Sequence, residues 1–537
     1  MSGGGRRSER CPECGKVAGA LREGICLACW YTSPERPKPV RDRYAKLEQL
    51  RERGIEPYAY GFERSHELAE ARTAFEAAES VEEAGSIRVR VAGRILSHRD
   101  LGGSAFSHLG DRSGRLQVYF KRDLLDERGN HLLELLDLGD WIGVAGSLFR
   151  TRTGEVTARA EELTLLAKTL RPLPFGKEEV SESGERIVHG GFSNVESRYR
   201  RRYADLAVNP EVRELFLLRA RLVSALRSYL DGRGFVEVET PVLQPMYGGA
   251  FARPFTTRHE ALDTKLYLRI ADELYLKRLI VGNLDRVYEI GKDFRNEGID
   301  RTHNPEFTML ELYQALADYE GMMELAEEMV TEVLAEVCGG LELEYEGRRL
   351  DFSRPWARIS FTEGLRRHAG LDPAEATVAE LREAARALGR PDAEQLTRPR
   401  LLDLLFAARV EPALGDPTIV YDYPVEMSPL AKPKRGDPAL AERFEMLAGG
   451  QEILNAFSEL NDPLDQWTRF VEQGRQREAG DLEAQRLDED YVRALEYGLP
   501  PTGGLGLGVD RLVMLASGRP SIREVVLFPI LRPDEGR

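Results

Sequence analysis

Between residues 86 and 170 the apolar residues recur at every second position, a spacing that strands satisfy and helices do not. The stretches IRVRVAGRIL, SAFSHLGDRSGRLQVYF and DWIGVAGSLFRT alternate in this way. Gly-containing turns separate them, and the helical run LLELLDL lies between the second and third. Short strands bent at glycines around one interposed helix fit a small Greek-key barrel of the OB type, and the pattern also fits other small β-modules.

The chain is 537 residues long, more than one ordinary core requires, so it divides into several domains. Residues 1–35 hold a cysteine cluster, and the Pro-rich segment Ser33–Val40 reads as an extended linker. Within 36–85, RDRYAKLEQLRERG from Arg41 has Tyr44, Leu47 and Leu50 at helical spacing and Gly54 as its stop. After the barrel segment, 171–194 reads as a second linker. The remainder, 195–537, is one large mixed domain. It opens on a long amphipathic helix, Glu211 to Asp231, followed by a strand at Phe235–Glu239, and it carries a helical insertion at 373–412. The fold class is therefore α+β multidomain. Hydrophobic residues are 42% and charged residues 31%, no apolar run is long enough to cross a bilayer, and no secretory leader is visible, which together point to the cytoplasm. Net charge is −15, yet residues 1–53 carry 12 Lys/Arg against 7 Asp/Glu. The basic balance sits at the front, where a polyanion or plain solvent could face it.

Cys11-Pro-Glu-Cys14 and Cys26-Leu-Ala-Cys29 are two C-x2-C pairs with 11 residues between them. Gly15 allows the first a tight knuckle. Two such pairs make a tetrahedral thiolate site, the preference of Zn²⁺, and a segment this short needs the metal to fold. Four cysteines leave no open coordination position, so the zinc is structural. Cys338 stands alone in apolar surroundings and reads as a buried thiol.

Three segments of the large domain carry chemistry. GFVEVETPVL at 234–243 says little alone. In FRNEGIDRTHNPEFTMLELY, at 294–313, two strand-like runs flank a polar loop. Arg295 and Glu297 share a face of the first, and Phe307, Met309, Glu311 and Tyr313 share a face of the second. An arginine, a carboxylate and a ring brought together suit a nucleotide, and a salt-bridged hairpin explains them equally well. In GGLGLGVDRLVML, at 503–515, alternate glycines open one strand face to close approach, and Arg511 lies in the first turn of the following helix. Neither GxxxxGK[ST] nor G-x-G-x-x-G occurs here.

In this order the three segments resemble the three motifs of class II aminoacyl-tRNA synthetases. GGAFARPF, LYLRIADELYLKRL, FRNEGI, HNPEFTMLELY, MSPLAK and NAFSELNDP resemble lysyl-tRNA synthetases in particular. The resemblance covers nearly the whole chain from Arg41. It implies an antiparallel catalytic sheet flanked by helices, an OB barrel that binds the anticodon, a homodimer, and three Mg²⁺ near ATP. It implies that Arg295 holds the lysine carboxylate and the α-phosphate, and that Phe307 and Arg511 sandwich adenine. Glu297 and His303 would contact the nucleotide, and Glu445 and Glu452 would hold Mg²⁺. For the amino acid it implies Glu459 with Tyr313 at the ε-ammonium, Glu273 and the Gly249 backbone at the α-amino group, and Asn455 and Phe457 alongside. In the barrel it implies that Arg94, Phe106 and Gln117 read the tRNA(Lys) anticodon.

Two geometrical expectations accompany these assignments. A two-residue turn at Gly449-Gly450 sets position 447 opposite 452, so that Glu445 and Glu452 share a face. Glu452 and Asn455 differ by an odd number, so a bulge must lie between them. The chain departs from many bacterial relatives at Thr302, where they carry arginine, and at Leu454 and Ala456, where they carry glycine. The cysteine module is also outside the usual pattern, and its charge suits an added tRNA-binding surface. A paralogue that lysylates protein would lack the OB domain, and a binding protein with a dead synthetase domain would not need Arg295, Glu445, Glu452 and Arg511.

Overall fold

The structure is a computed structural model that describes residues 9–533, apart from 15–16, 19–20, 23–24, 80–86, 181–185, 190 and 479–486. Gly15 lies outside the described residues. The chain divides into two compact units, Met1–Ser193 and Asn194–Arg537.

In the first unit two pairs of two-residue strands come first, with Cys11 and Cys14 after the strand Glu9–Arg10 and Cys26 at the end of Ile25–Cys26; helices α1 (Leu27–Thr32, which holds Cys29), α2 (Lys38–Glu52) and α3 (Leu68–Glu79) follow. Helix α2 begins inside the segment expected to be extended: Pro37 caps it and Pro39 sits in its first turn, where a missing N–H costs nothing. Its Tyr44, Leu47 and Leu50 are buried, and Gly54 ends it with a positive φ of 65°. The barrel comprises β1 (Arg88–Asp100), β2 (Ser104–Gly110), β3 (Arg115–Lys121), α4 (Glu127–Leu135), β4 (Trp141–Arg150) and β5 (Val156–Ala167), closed in the order β1-β2-β3-β5-β4. The long second stretch breaks into β2 and β3 because Asp111 accepts the N–H groups of Ser113 and Gly114 and folds a turn there. Helix α4 starts earlier than LLELLDL, where Asp126 caps it by accepting from the Gly129 N–H. Val91, Ile95, Leu109, Val118, Phe120, Ile142, Val144 and Ala158 fill the barrel interior. The expected linker at 171–194 contains an antiparallel pair, Lys177–Val180 with Arg186–His189.

The second unit is built on one nine-stranded sheet. Its elements are α5 (Pro210–Gly232), β6 (Val236–Glu237), α6 (Glu273–Val281), β7 (Arg286–Phe294), β8 (Glu306–Ala315), α7 (Tyr319–Cys338), β9 (Ala357–Ser360), β10 (Thr418–Pro424), β11 (Pro433–Lys434), β12 (Asp437–Ala448), β13 (Gln451–Ser458), α8 (Glu489–Glu496), β14 (Thr502–Gly508) and α9 (Val509–Ser517). Strand order is β6-β7-β8-β14-β13-β12-β10-β9, with β11 beside β12. The sheet is antiparallel at its centre, as expected, but β6 runs parallel to β7 and β9 parallel to β10. The first strand is only two residues long. Helices α5, α7 and α9 bury Leu222, Leu226, Met329, Val330, Leu512 and Val513 in the main core with Leu310, Leu312, Leu505 and Leu507. Residues 373–412 contain the helices Val378–Ala387 and Arg398–Arg409, whose Leu381, Leu401, Leu405 and Phe406 pack with Val420 and Tyr423 of β10.

Candidate active site

A cavity of about 440 Å³ lies over the centre of the sheet, and the register of four strands builds its floor. Tyr313 of β8 faces Gly504 of β14, which faces Phe457 of β13, which faces Arg443 of β12. The neighbouring row is Glu311, Gly506, Asn455 and Glu445. The period of two thus places Phe307, Met309, Glu311 and Tyr313 on one wall, and all eight row members line the cavity. The glycines leave room for their neighbours: a Cβ on Gly504 would overlap the Glu459 carboxylate and lie 2.5 Å from the Tyr313 ring.

The hairpin β12–β13 turns at Gly449 and Gly450, both at positive φ, and pairs Leu447 with Glu452. The register then slips, because Ile453 is an extra residue opposite the Met446–Leu447 step. This bulge puts Glu452 and Asn455 on one face with Glu445. Arg443 locks the arrangement: Nε donates to Asn455 Oδ1 at 2.9 Å, and its other nitrogens donate to Glu445 Oε1 at 2.5 Å and the Met427 carbonyl at 3.0 Å. Tyr423 donates to the second Glu445 oxygen at 2.8 Å. Burial, partly offset by Arg443 and reinforced by Glu452, pushes Glu445 up to about 7. Burial and the charges of Glu445 and Glu452 push Glu411 up to about 8.

Arg511, in the first turn of α9, donates to the Glu452 carbonyl at 2.6 Å and to its carboxylate at 3.1 Å, and stands 3.3 Å from His303 Nε2. His303 Nδ1 is 2.9 Å from Asp300. Strand β7 ends at Phe294, so Arg295 and Glu297 lie in the loop beyond it and not on a strand face. Both still line the cavity. The Glu297 N–H donates to the Arg295 carbonyl at 2.9 Å, which curls the loop inward. The Arg295 guanidinium lies 5.0 Å from the Phe307 ring centroid, over the face expected to receive a base. Thr302 lines the cavity, whereas Arg301 pairs with exposed Glu346.

Glu273 begins α6 and lines the cavity beside Gly249, whose φ is +90°. Glu459 is 1% exposed, and its carboxylate lies over Gly504, on the side where a Cβ would project, close to the Tyr313 ring. Both carboxylates pair with Lys277. Lys277 was not singled out from the sequence, although its place one helical turn after Glu273 was visible there. Nor were Arg443, two residues before Glu445, or the insertion residues Arg400 and Asp403, which also line the cavity.

In the first unit Phe106 is half-buried on the outer face of the barrel, not in its core. Its ring lies 4.8 Å from that of Tyr119, which meets Phe149 at 6.1 Å. Gln117 shares this face but is engaged, donating to Glu155 at 2.7 Å and accepting from Thr157 at 2.8 Å. Arg94 is not brought to this group. It pairs across from Gly110 while Arg99 stands opposite Phe106, and it donates to the Gly139 carbonyl at 2.9 Å. The Sγ atoms of Cys11, Cys14, Cys26 and Cys29 lie within 4.8 Å of one another. The Cys26 N–H donates to Cys11 Sγ at 3.3 Å and, with other backbone donors, lowers that thiol to about 6. Cys338 is part-buried, and burial raises its thiol.

Residues 194–532 match the model of tRNA synthetases class II (D, K and N), and residues 89–166 match the OB-fold nucleic acid binding domain. The fold and the site are those of a class II aminoacyl-tRNA synthetase carrying an OB barrel. Among curated proteins the chain is 49% identical to the lysine–tRNA ligase of Carboxydothermus hydrogenoformans, over 92% of this chain and 98% of that one. It is 50% identical to that of Moorella thermoacetica, over 92% and 97%. The chain belongs to the lysine–tRNA ligase family of class II synthetases. Among the described residues no helix is long and apolar enough to cross a membrane.

Proposed function

We propose that the chain activates L-lysine with ATP and transfers it to the terminal ribose of tRNA(Lys), in the cytoplasm and as a homodimer. The observation that carries lysine rather than an acidic amino acid is the pair of buried carboxylates, Glu273 and Glu459, at one end of the cavity. A desolvated ammonium requires anionic partners, and an aspartate site would require cations to outnumber carboxylates there.

In the first step a carboxylate oxygen of lysine attacks the α-phosphorus in line, the bond to pyrophosphate breaks, and lysyl-adenylate forms. A ribose hydroxyl of tRNA then attacks the adenylate carbonyl and AMP leaves. No side-chain nucleophile takes part. Arg295 holds the lysine carboxylate and the α-phosphate, and stabilises the charge that develops between them. It must leave the Phe307 ring as adenine arrives, so that Phe307 and Arg511 flank the base, with Glu297 and His303 at its edges. Gly249, Tyr313, Asn455 and Phe457 complete the lysine pocket. Mg²⁺ suits Glu445 and Glu452, which share a face and whose crowding with Glu411 favours a cation; three ions, when bound, neutralise triphosphate charge.

Phe106 and Gln117 suit a splayed anticodon base, one by stacking and the other by its amide edge. The four cysteines suit a structural Zn²⁺, whose charge would hold the crowded thiols as thiolates. The deciding experiment is lysine-dependent ATP–pyrophosphate exchange, followed by charging of tRNA with and without a lysine anticodon. Absence of exchange with lysine removes the reading. Metal analysis should find zinc bound to the purified chain and absent after Cys11→Ser and Cys14→Ser. Removal of residues 1–35 should weaken tRNA binding at low salt if the module extends that surface; unchanged affinity would leave it a purely structural appendage.

A further inference from the structure

We propose that Lys277 is the positioning residue that spaces the two ammonium-binding carboxylates, Glu273 and Glu459, and thereby selects a diamino acid of lysine's length. The inference rests on reading the cavity as a lysine site. Lys277 stands one turn after Glu273 on α6 and is fully buried. Its ammonium pairs with Oε1 of Glu273 and with Oε2 of Glu459. Each carboxylate therefore spends one oxygen on Lys277 and keeps the other. The free Oε2 of Glu273 faces Gly249, where a Cβ would lie 3.9 Å away. The free Oε1 of Glu459 lies against Gly504 and has no hydrogen-bond partner among the described residues. Gly249 and Gly504 both belong to the cavity wall. One internal cation thus divides two carboxylates and leaves an acceptor at each of two places.

The charge count agrees. Two carboxylates about one ammonium leave one negative charge over, which offsets one of the two ammoniums that a diamino acid brings. Glu311 and Arg443 are the other charged groups that bear on the trio. The rings of Phe457, Tyr313 and Tyr491 surround the Lys277 ammonium at 5.5, 5.9 and 5.9 Å and keep water from it. Burial works against its charge, and Glu273 and Glu459 outweigh that and hold its pKa above the ordinary lysine value. Burying three charges is costly, and apolar side chains could fill the same space, so stability alone does not account for the trio. A fixed span between two ammonium acceptors does account for it. The α-ammonium of a substrate would meet Glu273, its terminal ammonium would meet Glu459, and Lys277 sets the distance between them.

The test is ATP–pyrophosphate exchange with lysine and with ornithine, which is one methylene shorter, using the wild-type chain, Lys277→Met and Lys277→Arg. The wild type should favour lysine by about 10- to 200-fold, the range that one methylene allows. Lys277→Met should raise the lysine KM by about tenfold or more, change kcat by less than about threefold, and leave the ATP KM unchanged. Its preference for lysine over ornithine should fall by about tenfold. Lys277→Arg keeps the charge but changes the span, so it should lose preference while retaining exchange, and it decides the matter if Lys277→Met does not fold. Lysine KM and preference within twofold of wild type in the folded variants would overturn the proposal. Absence of lysine-dependent exchange in the wild type would instead overturn the reading on which it rests.

Discussion

At one end of the cavity Glu273 and Glu459 close on Lys277, a cation that the chain itself supplies. At the other, Glu445, Glu452 and Glu411 crowd together, and their arginines are shared: Arg443 also serves Asn455, and Arg511 also faces His303. Burial, with the charges of the neighbouring carboxylates, pushes Glu411 and Glu445 up to about 8 and about 7. Two clusters of carboxylates have thus been treated differently. The amino-acid end is partly neutralised within the fold, by one buried ammonium against two carboxylates. The nucleotide end is left short of positive charge, which suits a ligand that arrives with its own cations.

Arg295 lines the cavity and is proposed to hold both the lysine carboxylate and the α-phosphate, so its loss should strike both ends together. Arg295→Ala should lower kcat for exchange by about 10²- to 10³-fold, more than it raises either KM. A change confined to the ATP KM would place it at the nucleotide end alone. Glu459→Gln should raise the lysine KM about 100-fold and leave the ATP KM unchanged, since a buried charge pair loses one member. An equal effect on ATP would break the division of the cavity into two ends. Glu452→Gln should do the converse, raising the Mg²⁺ concentration for half-maximal exchange about tenfold without moving the lysine KM. The smallest effect on activation is that of Phe106→Ala, in the barrel, which should leave exchange untouched and raise the tRNA KM about tenfold, the cost of losing one stacked base. Altered exchange in that variant would show that the barrel face acts on activation as well as on tRNA.

Much of this was legible because period two is a rigid rule. The shared face of Phe307 through Tyr313, the alternate glycines of β14 and the bulge required between Glu452 and Asn455 all follow from counting residues. Counting failed where the chain leaves regular structure. Arg295 and Glu297 lie beyond the end of β7, so their convergence depends on a loop that no period describes. Helix α2 starts early because proline is welcome in a first turn, a tolerance that hides inside a segment that otherwise reads as extended. Lys277 escaped notice because its partner Glu459 lies 182 residues further along, and only the folded sheet brings them together. Arg94 is the opposite case. It belongs to the same strand, but it lies five positions along β1 from Arg99, the residue across from Phe106, and donates to the Gly139 carbonyl.

The extra residue Ile453 has a further consequence. It acts as a frameshift in a two-letter alphabet, inward and outward. Before it the inward letters fall on even numbers, as at Glu452, and after it on odd ones, as at Asn455 and Phe457. The two chemistries of the site are thus written in different frames of one strand. A single-residue insertion or deletion within β13 would keep one message and scramble the other, so the strand tolerates length changes only in pairs, each moving the ends apart by about 7 Å. The distance between nucleotide and amino acid is in this sense quantised, and drift along this strand cannot adjust it gradually.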